Sequence, residues 1–273
     1  MGKQSSRGFA ALLTAGLCIS LLAGCSGKET PKKIMDRIEK NLAEVTSFSN
    51  HVEMDIKMEE LVHYTKVTMD MEMKNTMEPK AGHAKGTAEV SMRGVSLNSQ
   101  MEIYQVEEDG AQVTYSGMDG TWLKETADVG SGGIALDKNL FAEMGESADE
   151  FQLADEMIEL DGKSCYEMYG DVTGKELMGI LGSQMLHGFG LVELPDDNAV
   201  SQLEIPVILD VYEEEMLPAR IHVDMTDVLN DLYDGLGESA DVTHYVIQLS
   251  FTEYNTVEEI QVPEEVRAMA VQM

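Results

Sequence analysis

Two kinds of hydrophobic period follow one another along the chain. Near the start, apolar residues recur at spacings of four, four and three, at Ile34, Ile38, Leu42 and Val45. This spacing predicts a helix over residues 31–46 with one buried face. The period then changes to two, and apolar residues alternate with polar ones over residues 52–58, 67–73, 84–92 and 95–103. Such alternation predicts antiparallel strands with one apolar face and one solvated face.

Turn signals separate these runs and continue after them. Arg93-Gly94, Asp109-Gly110 and Asp119-Gly120 are sequences that favour tight hairpins. Helical spacing predicts a second helix over residues 175–186 and a short one over residues 136–144. For residues 226–236 the pattern allows either a helical turn or an acidic loop. Alternation returns over residues 205–211, 221–225 and 245–251. The pattern therefore predicts a single α+β domain over residues 31–273.

The first 24 residues have the pattern of a targeting segment. Lys3 and Arg7 precede an apolar stretch from Phe9 to Ala23, which is short for a membrane span. The stretch ends in residues 22–25, Leu-Ala-Gly-Cys, which resembles a bacterial lipobox. We expect residues 1–24 to be removed as a lipoprotein signal peptide and Cys25 to be lipidated, with residues 25–30 as a short tether. The predicted location is the extracytoplasmic face of the bacterial cell membrane, reached through the Cys25 lipid anchor.

Charge and composition exclude several classes of function. The chain has 273 residues, 50 acidic and 19 basic, and a formal net charge of −31. Such a balance argues against nucleic acid as a partner, because phosphate binding needs a basic surface. The six histidines are scattered without the spacing of a metal site. No nucleophile or phosphate-loop motif is present. We therefore predict a protein that is not an enzyme, with no catalytic residues, metal or cofactor.

Cys165 is the one unmodified cysteine that remains after the expected processing, so no disulfide framework is available. It lies in a strand-like segment after the Asp161-Gly162 turn. We expect a packed or half-exposed structural thiol.

Several segments together resemble the LolA-like superfamily, and in particular lipoproteins of Gram-positive bacteria without an assigned function. The segments are Val45–Ser49, Met54–Met58, Tyr115 followed by Asp119–Lys124, Val207–Val211, Leu217–Ile221, Phe251–Asn255 and Ile260–Val266. The resemblance spans residues 31–268. It implies an incomplete antiparallel β-barrel, a curved meander sheet wrapped around two or three helices. It also implies a hydrophobic cavity, and the superfamily includes carriers of lipoproteins and lipids.

Methionine is abundant, with 20 residues, and many lie on the apolar phase of the predicted strands. A flexible, polarizable side chain suits a surface that adapts to variable apolar partners, although it also fills gaps in ordinary cores. The predicted lining of the cavity consists of Met54, Ile56, Met58, Met69, Met71, Val90, Met92, Met101 and Ile103. The primary hypothesis is binding or carriage of a hydrophobic ligand such as a lipid. The alternative is an envelope sensor or protein-interaction module on the same half-barrel, and the protein partner is unknown.

Overall fold

The computed structural model describes residues 29–60, 63–127, 145, 148–188, 191, 192, 194 and 197–272. The predicted signal peptide, the lipidation site Cys25 and the short helix expected at 136–144 lie outside the described residues. Helices in the described part are α1 (Pro31–Leu42), α2 (Gly174–Leu181), α3 (Ser183–Leu186), α4 (Asp197–Ser201), α5 (Thr226–Leu236) and α6 (Glu264–Met269), with a 3₁₀ turn at Ala148–Glu150.

Strands supply most of the structure. Their bounds are β1 (Ser47–Glu60), β2 (His63–Met77), β3 (Lys80–Met92), β4 (Val95–Glu108), β5 (Ala111–Met118), β6 (Thr121–Ala127), β7 (Gln152–Leu153), β8 (Ile158–Leu160), β9 (Lys163–Thr173), β10 (Glu204–Tyr212), β11 (Pro218–Asp224), β12 (Ala240–Tyr254) and β13 (Val271–Gln272).

The described strands form one open, curved sheet. Its order is β13, β6, β5, β4, β3, β2, β1, β12, β11, β10, β9 and β7, with β8 also paired to β9. Neighbouring strands are antiparallel except for β13, which runs parallel to β6. The α+β class and the open, barrel-like sheet follow the prediction. The described residues contain more helical segments than the two or three expected.

The hairpin turns form where the sequence predicts them. Asp109 and Gly110 both have positive φ, 53° and 77°, and so do Asp119 and Gly120, at 48° and 84°. This conformation matches the twist of the flanking strands, and glycine adopts it without steric cost. The four strands β3 to β6 are therefore joined by consecutive tight hairpins.

Two predicted helices end differently in the structure. The first ends at Leu42 rather than residue 46, because Thr46 donates its backbone N–H to Asn255 Oδ1 at 2.7 Å and enters the sheet. The second is divided at Gly182, whose φ of 77° and ψ of 145° interrupt it between α2 and α3. The segment 226–236, which the pattern left open, is helix α5.

The main core lies on one face of the sheet, which we call the inner face and which carries Val52, Met54 and Ile56 of β1. The largest buried cluster joins this face to apolar side chains of α1, α2, α3 and α5. A second buried cluster lies on the opposite, outer face of β4, β5 and β6. There the C-terminal segment, through Val262 and Val266, packs on aromatic strand residues. Strand β4 is thus packed on both faces, whereas β5 and β6 are packed mainly on the outer face.

Candidate functional site

The methionine-rich positions predicted from the sequence share the inner face. Seven of the nine expected lining residues are buried, namely Met54, Ile56, Met58, Met69, Met71, Met101 and Ile103. Val90 is partly buried and packs against the same cluster. The strand pairing places them side by side, since Met54 lies opposite Met69 and Ile56 opposite Val67. The sequence therefore brings these side chains together on one apolar surface.

Small residues on β3 lie opposite three of the β2 methionines. Met69 is paired with Ala88, Met71 with Gly86, and Met73 with Ala84. Cross-strand partners on one face have Cβ atoms about 5 Å apart, so the long thioethers extend over positions that have little side chain of their own. The flexible methionines thus adjoin the smallest side chains of the inner face.

Gly86 occupies a position where no other residue fits the observed backbone. A Cβ atom added there would lie 2.0 Å from the carbonyl oxygen of Asp70 and 2.7 Å from Cα of Met71. Both atoms belong to the backbone of β2, which cannot rotate away as a side chain can. The close approach of β2 and β3 beneath the methionines therefore depends on glycine.

The structure differs from the predicted cavity lining at Met92, whose side chain is 47% exposed. It is paired with Val95 at the tip of the β3–β4 hairpin, immediately before the Arg93-Gly94 turn. Alternation assigns a residue to a face of a strand but does not say how far that face is covered. The hairpin tip extends beyond the buried part of the inner face, so Met92 does not belong to the buried set.

The inner face carries further exposed apolar residues toward this tip and toward β6. They form what we call the exposed apolar strip: Met92, Val95, Leu97, Met118, Leu123 and Val271. Pairing connects the strip to the buried residues, because Leu97 lies opposite Val90 and Met118 opposite Met101. The apolar surface therefore runs continuously from the buried methionines to solvent.

Toward its other end the inner face carries four buried polar residues, Asn50, Asn75, Gln105 and Thr114, which we call the polar row. Apolar residues lie among them, since Phe48 is paired with Asn75 and is also buried. Asn75 Nδ2 donates to Asn50 Oδ1 at 3.2 Å, and Gln105 Nε2 donates to Thr114 Oγ1 at 3.3 Å. The hydrophobic pattern of the sequence does not predict the polar row. The signal available was the presence of polar residues on the otherwise apolar phase of β1, β2 and β4.

A buried charge pair lies on the outer face of β9 to β11. Asp210 is fully buried, and its Oδ2 accepts a hydrogen bond from Arg220 Nε at 2.6 Å. Arg220 also lies 3.9 Å from a carboxylate oxygen of Glu167. Burial raises the pKa of Asp210, an effect that Arg220 opposes. A pKa that is shifted by burial and by an ionic partner is as typical of structural ion pairs as of functional ones.

Cys165 is a fully buried structural thiol in the neighbouring outer-face cluster with Tyr212 and Ala219. Burial, and next the charge of Asp210, raise the pKa of this thiol to about 11. A thiol in this environment is protonated and inaccessible at neutral pH, which is the opposite of a reactive cysteine.

A further charged group fastens the C-terminal segment to the outer face. Glu108 accepts hydrogen bonds from Arg267 and from the Tyr115 hydroxyl, and Lys124 Nζ lies 3.4 Å from its carboxylate. Burial alone would raise the pKa of Glu108, but the bonds from Arg267 and Tyr115 outweigh it and hold that pKa below its usual range. The arrangement holds α6 against β4 to β6.

Three histidines, His51, His83 and His244, pair with acidic residues of the sheet surface. His51 Nε2 lies 2.9 Å from Asp70, His83 Nε2 lies 2.9 Å from Glu102, and His244 lies 3.7 Å from Asp55. Within the described ranges, no group of three or more His, Cys, Asp or Glu residues is placed to hold a metal ion. None of the described helices is long and apolar enough to cross a membrane.

Family comparison covers nearly the whole described chain. Residues 30–271 match DUF6612, a family of unknown function. The chain belongs to the DUF6612 family. No curated protein sequence matches it.

Solved structures give relatives of this DUF6612 chain at low sequence identity. LprF from Mycobacterium bovis is 13% identical, with a TM-score of 0.50 over 85% of this chain and 96% of LprF. The lipoprotein LppX from Mycobacterium tuberculosis is 12% identical, with a TM-score of 0.46 over 85% of this chain and 98% of LppX. At this identity, the likeness to LprF establishes a shared fold.

Proposed function

We propose that this DUF6612 protein is a membrane-anchored extracytoplasmic lipoprotein that binds or carries a hydrophobic ligand on the inner face of its sheet. The observation that carries the proposal is the continuity of the apolar inner face from buried methionines to the exposed apolar strip. Apolar patches exposed to solvent on a monomer mark sites of interaction. A fold shared with LprF, and the resemblance of the sequence to the LolA-like superfamily, support the same function.

The flexibility of methionine side chains would allow such a face to bind a hydrophobic ligand. Methionine has three rotatable bonds and a polarizable sulfur, so it can cover ligands of different shapes. Along β3 the methionines lie opposite Ala84, Gly86 and Ala88, which have the smallest side chains of the inner face. An apolar chain placed between these strands would contact thioethers and aliphatic groups and would be removed from water.

Ligand binding is tested with the hydrocarbon fluorophore diphenylhexatriene and the substitution Ala88→Leu, which fills the inner face opposite Met69. The matched control is Thr87→Leu on the adjacent residue, which points to the outer face. We expect Ala88→Leu to weaken binding at least tenfold and Thr87→Leu to leave it within twofold, with both variants showing cooperative thermal unfolding. Equal binding by all three proteins would contradict a site on the inner face.

Identification of the natural ligand requires protein purified from its own host. Mass spectrometry of an organic extract should show a hydrophobic compound at a ratio near one per chain for the parent and less for Ala88→Leu. Anchoring is tested separately by Cys25→Ala, which should abolish acylation and release the protein from the membrane fraction. A Cys25→Ala protein that is still acylated would refute the location proposed for the chain.

The exposed apolar strip favours a second function, in which the half-barrel binds a protein segment. Leu97, at 64% exposed, and Val95 stand at a hairpin tip rather than inside the domain. In that case Leu97→Ser would abolish capture of the partner, whereas Ala88→Leu would not affect it. The two functions are thus separated by which of these variants loses binding.

A further inference from the structure

Strand β4 has different neighbours over different parts of its length. On one side β3 pairs with residues 95–105, whereas on the other side β5 pairs only with residues 101–108. Among the described strands, none pairs with residues 95–99 on the β5 side. We call this side of the stretch from Val95 to Ser99 the open edge.

The alternation of the backbone identifies the groups that the open edge presents. Asp119 donates its backbone N–H to the carbonyl oxygen of Gln100 at 3.1 Å, and Gln100 donates its N–H to Asp119 Oδ1 at 2.9 Å. Gln100 therefore faces the β5 side. Because the N–H and C=O of a strand residue point to one side and the side alternates along the strand, Ser96 and Asn98 face it too. Their two N–H and two C=O groups point out of the open edge.

The open edge lacks the features that normally prevent a strand edge from pairing with another chain. Such protection comes from charged side chains, proline or a β-bulge. Residues 94–101 contain no charged residue and no proline, and the register of β3 with β4 is continuous. Val95 and Leu97 add apolar side chains that are 61% and 64% exposed. An uncharged edge with these side chains is a template for an added strand.

The sequence of the open edge is complementary to itself. In an antiparallel arrangement about a two-fold axis at Leu97, Ser96 of each copy lies opposite Asn98 of the other copy. This register uses every outward N–H and C=O group of both copies, in four hydrogen bonds. Leu97 lies opposite its own copy as a non-hydrogen-bonded pair, with Cα atoms about 4.5 Å apart. A shift of one residue would face outward groups with inward ones and lose these bonds.

Charge favours this contact over contacts elsewhere on the surface. The formal net charge of the chain is −31, so two copies repel each other over most of their surface. The open edge is an uncharged exception. The antiparallel register also brings Arg93 of each copy toward the end of the other copy's open edge, where Asp119 contacts Gln100. Opposite charges thus meet at both ends of the paired segment.

We propose that two copies of this chain associate through the open edge, so that β4 of one copy continues the sheet of the other. The contact joins four strands in the order β3, β4, β4 and β3, and it covers the exposed side chain of Leu97. Because the same segment is used by both copies, the contact is closed and gives a dimer. The inference goes beyond the proposed function, since the contact requires no ligand.

A disulfide at the two-fold axis tests this arrangement in the full chain. Leu97→Cys places two thiols on Cα atoms about 4.5 Å apart, within the range that a disulfide spans. The matched control is Val95→Cys, which lies on the same face with nearly equal exposure. In the proposed register Val95 lies opposite Ser99, so its two copies are about 13 Å apart along the strands.

The cross-link is formed by copper phenanthroline and air in cells that express the full chain. We expect Leu97→Cys to give a product of twice the chain mass at least tenfold more efficiently than Val95→Cys. The parent should give none, because Cys165 is buried. Random collisions would cross-link two cysteines of equal exposure equally, so the ratio reports the register rather than proximity alone.

A proline substitution tests whether main-chain pairing holds the contact together. Ser96→Pro removes an outward N–H and leaves the bonds between β3 and β4 in place, since Ser96 faces away from β3. Combined with Leu97→Cys, it should lower the cross-linked fraction at least tenfold while thermal unfolding stays cooperative. Asn98→Pro removes the other outward N–H and replaces Ser96→Pro in the test if that variant does not fold.

Three results would overturn the proposal. Leu97→Cys that does not cross-link would exclude the dimer, and equal cross-linking of Leu97→Cys and Val95→Cys would exclude the register. A cross-linked product of another mass would show that a different protein occupies the open edge. None of these readouts involves a hydrophobic ligand, so each of these results would leave the proposed function to be decided by diphenylhexatriene binding.

Discussion

Replacement of Gly86 by alanine is the sharpest test of how the inner face is built. The added Cβ would lie 2.0 Å from the carbonyl oxygen of Asp70, whereas ordinary contacts at a Cβ begin at about 3.4 Å. The backbone of β2 would have to move by more than 1 Å, because no side chain is available to yield. Gly86 lies between Met71 and Met101, so this movement would separate strands in the middle of the methionine-rich surface.

The expected cost follows from this geometry. Overpacking a well-packed core costs about 1–3 kcal/mol, and a clash with backbone belongs at the upper end of that range. A loss of about 3 kcal/mol lowers the melting temperature of a domain of this size by roughly 6–12 °C, at about 2–4 °C per kcal/mol. Circular dichroism during heating, together with urea unfolding, gives both quantities.

The matched control is Gly235→Ala in helix α5, where an added Cβ meets no atom within 4 Å. Alanine is better than glycine in a helix by about 1 kcal/mol, so this variant should melt about 2–4 °C above the parent. The two substitutions are chemically identical and have opposite expected signs. A Gly86→Ala protein that melts within 1 °C of the parent would refute the close approach of β2 and β3.

Three further predictions follow from the burial of single side chains. Met69→Ala should cost about 2–5 kcal/mol and the exposed Met92→Ala less than about 0.5, and equal losses in urea unfolding would contradict the assigned burial. In a chain that starts after Cys25, Cys165 should react with a thiol reagent at least a thousandfold more slowly than free cysteine. Unfolding in guanidinium should restore a normal rate, and rapid labelling of the folded protein would be inconsistent with the burial of Cys165. Because the pKa of Asp210 is raised above 3.8, its contribution to stability is complete below pH 3.8 and is lost as pH rises through the raised pKa. The difference in unfolding free energy between Asp210→Asn and the parent should vary in that window, and a difference independent of pH would refute the raised pKa.

Much of the inner face is predictable from the sequence because alternation reports it directly. Met54, Met69 and Met71 lie on the apolar phase of long runs, and a sheet with one apolar face must bury most of it. Met92 lies on the same phase and is exposed. Its environment depends on where the hairpin tip stands relative to the helices, which is a property of the assembled domain and not of the run.

The polar row was not predicted because its members are unrelated in the sequence. Asn50 interrupts the apolar phase of β1 between Phe48 and Val52, whereas Thr114 lies between Gln112 and Ser116 on a phase of β5 that is polar in the sequence. Only the register of β1 with β2 and of β4 with β5 places them at the same end of the sheet. Register between strands is set by pairing across the whole sheet, so no local pattern contains it.

The outer-face cluster was missed for a related reason. Tyr104 occupies the phase of β4 that alternation assigns to solvent, yet it is buried, and Tyr115 and Trp122 are buried beside it on the outer face. They are covered by Val262 and Val266, which lie about 150 residues later in the chain. A segment that returns from so far cannot be inferred from the periodicity of the strands that it covers.

This second core bears on how the same strands can serve a binding face. An edge of a sheet needs packing on at least one side to remain ordered, and β4 to β6 obtain it on the outer face from the C-terminal segment. Gly117 lies directly under the Trp122 ring, and Glu108 binds Arg267 across the same surface. The inner face of these strands therefore does not have to be covered for the edge of the sheet to remain ordered. Met118 and Leu123 can remain exposed to solvent without loss of the fold, and a binding site for an apolar ligand requires such exposed apolar side chains.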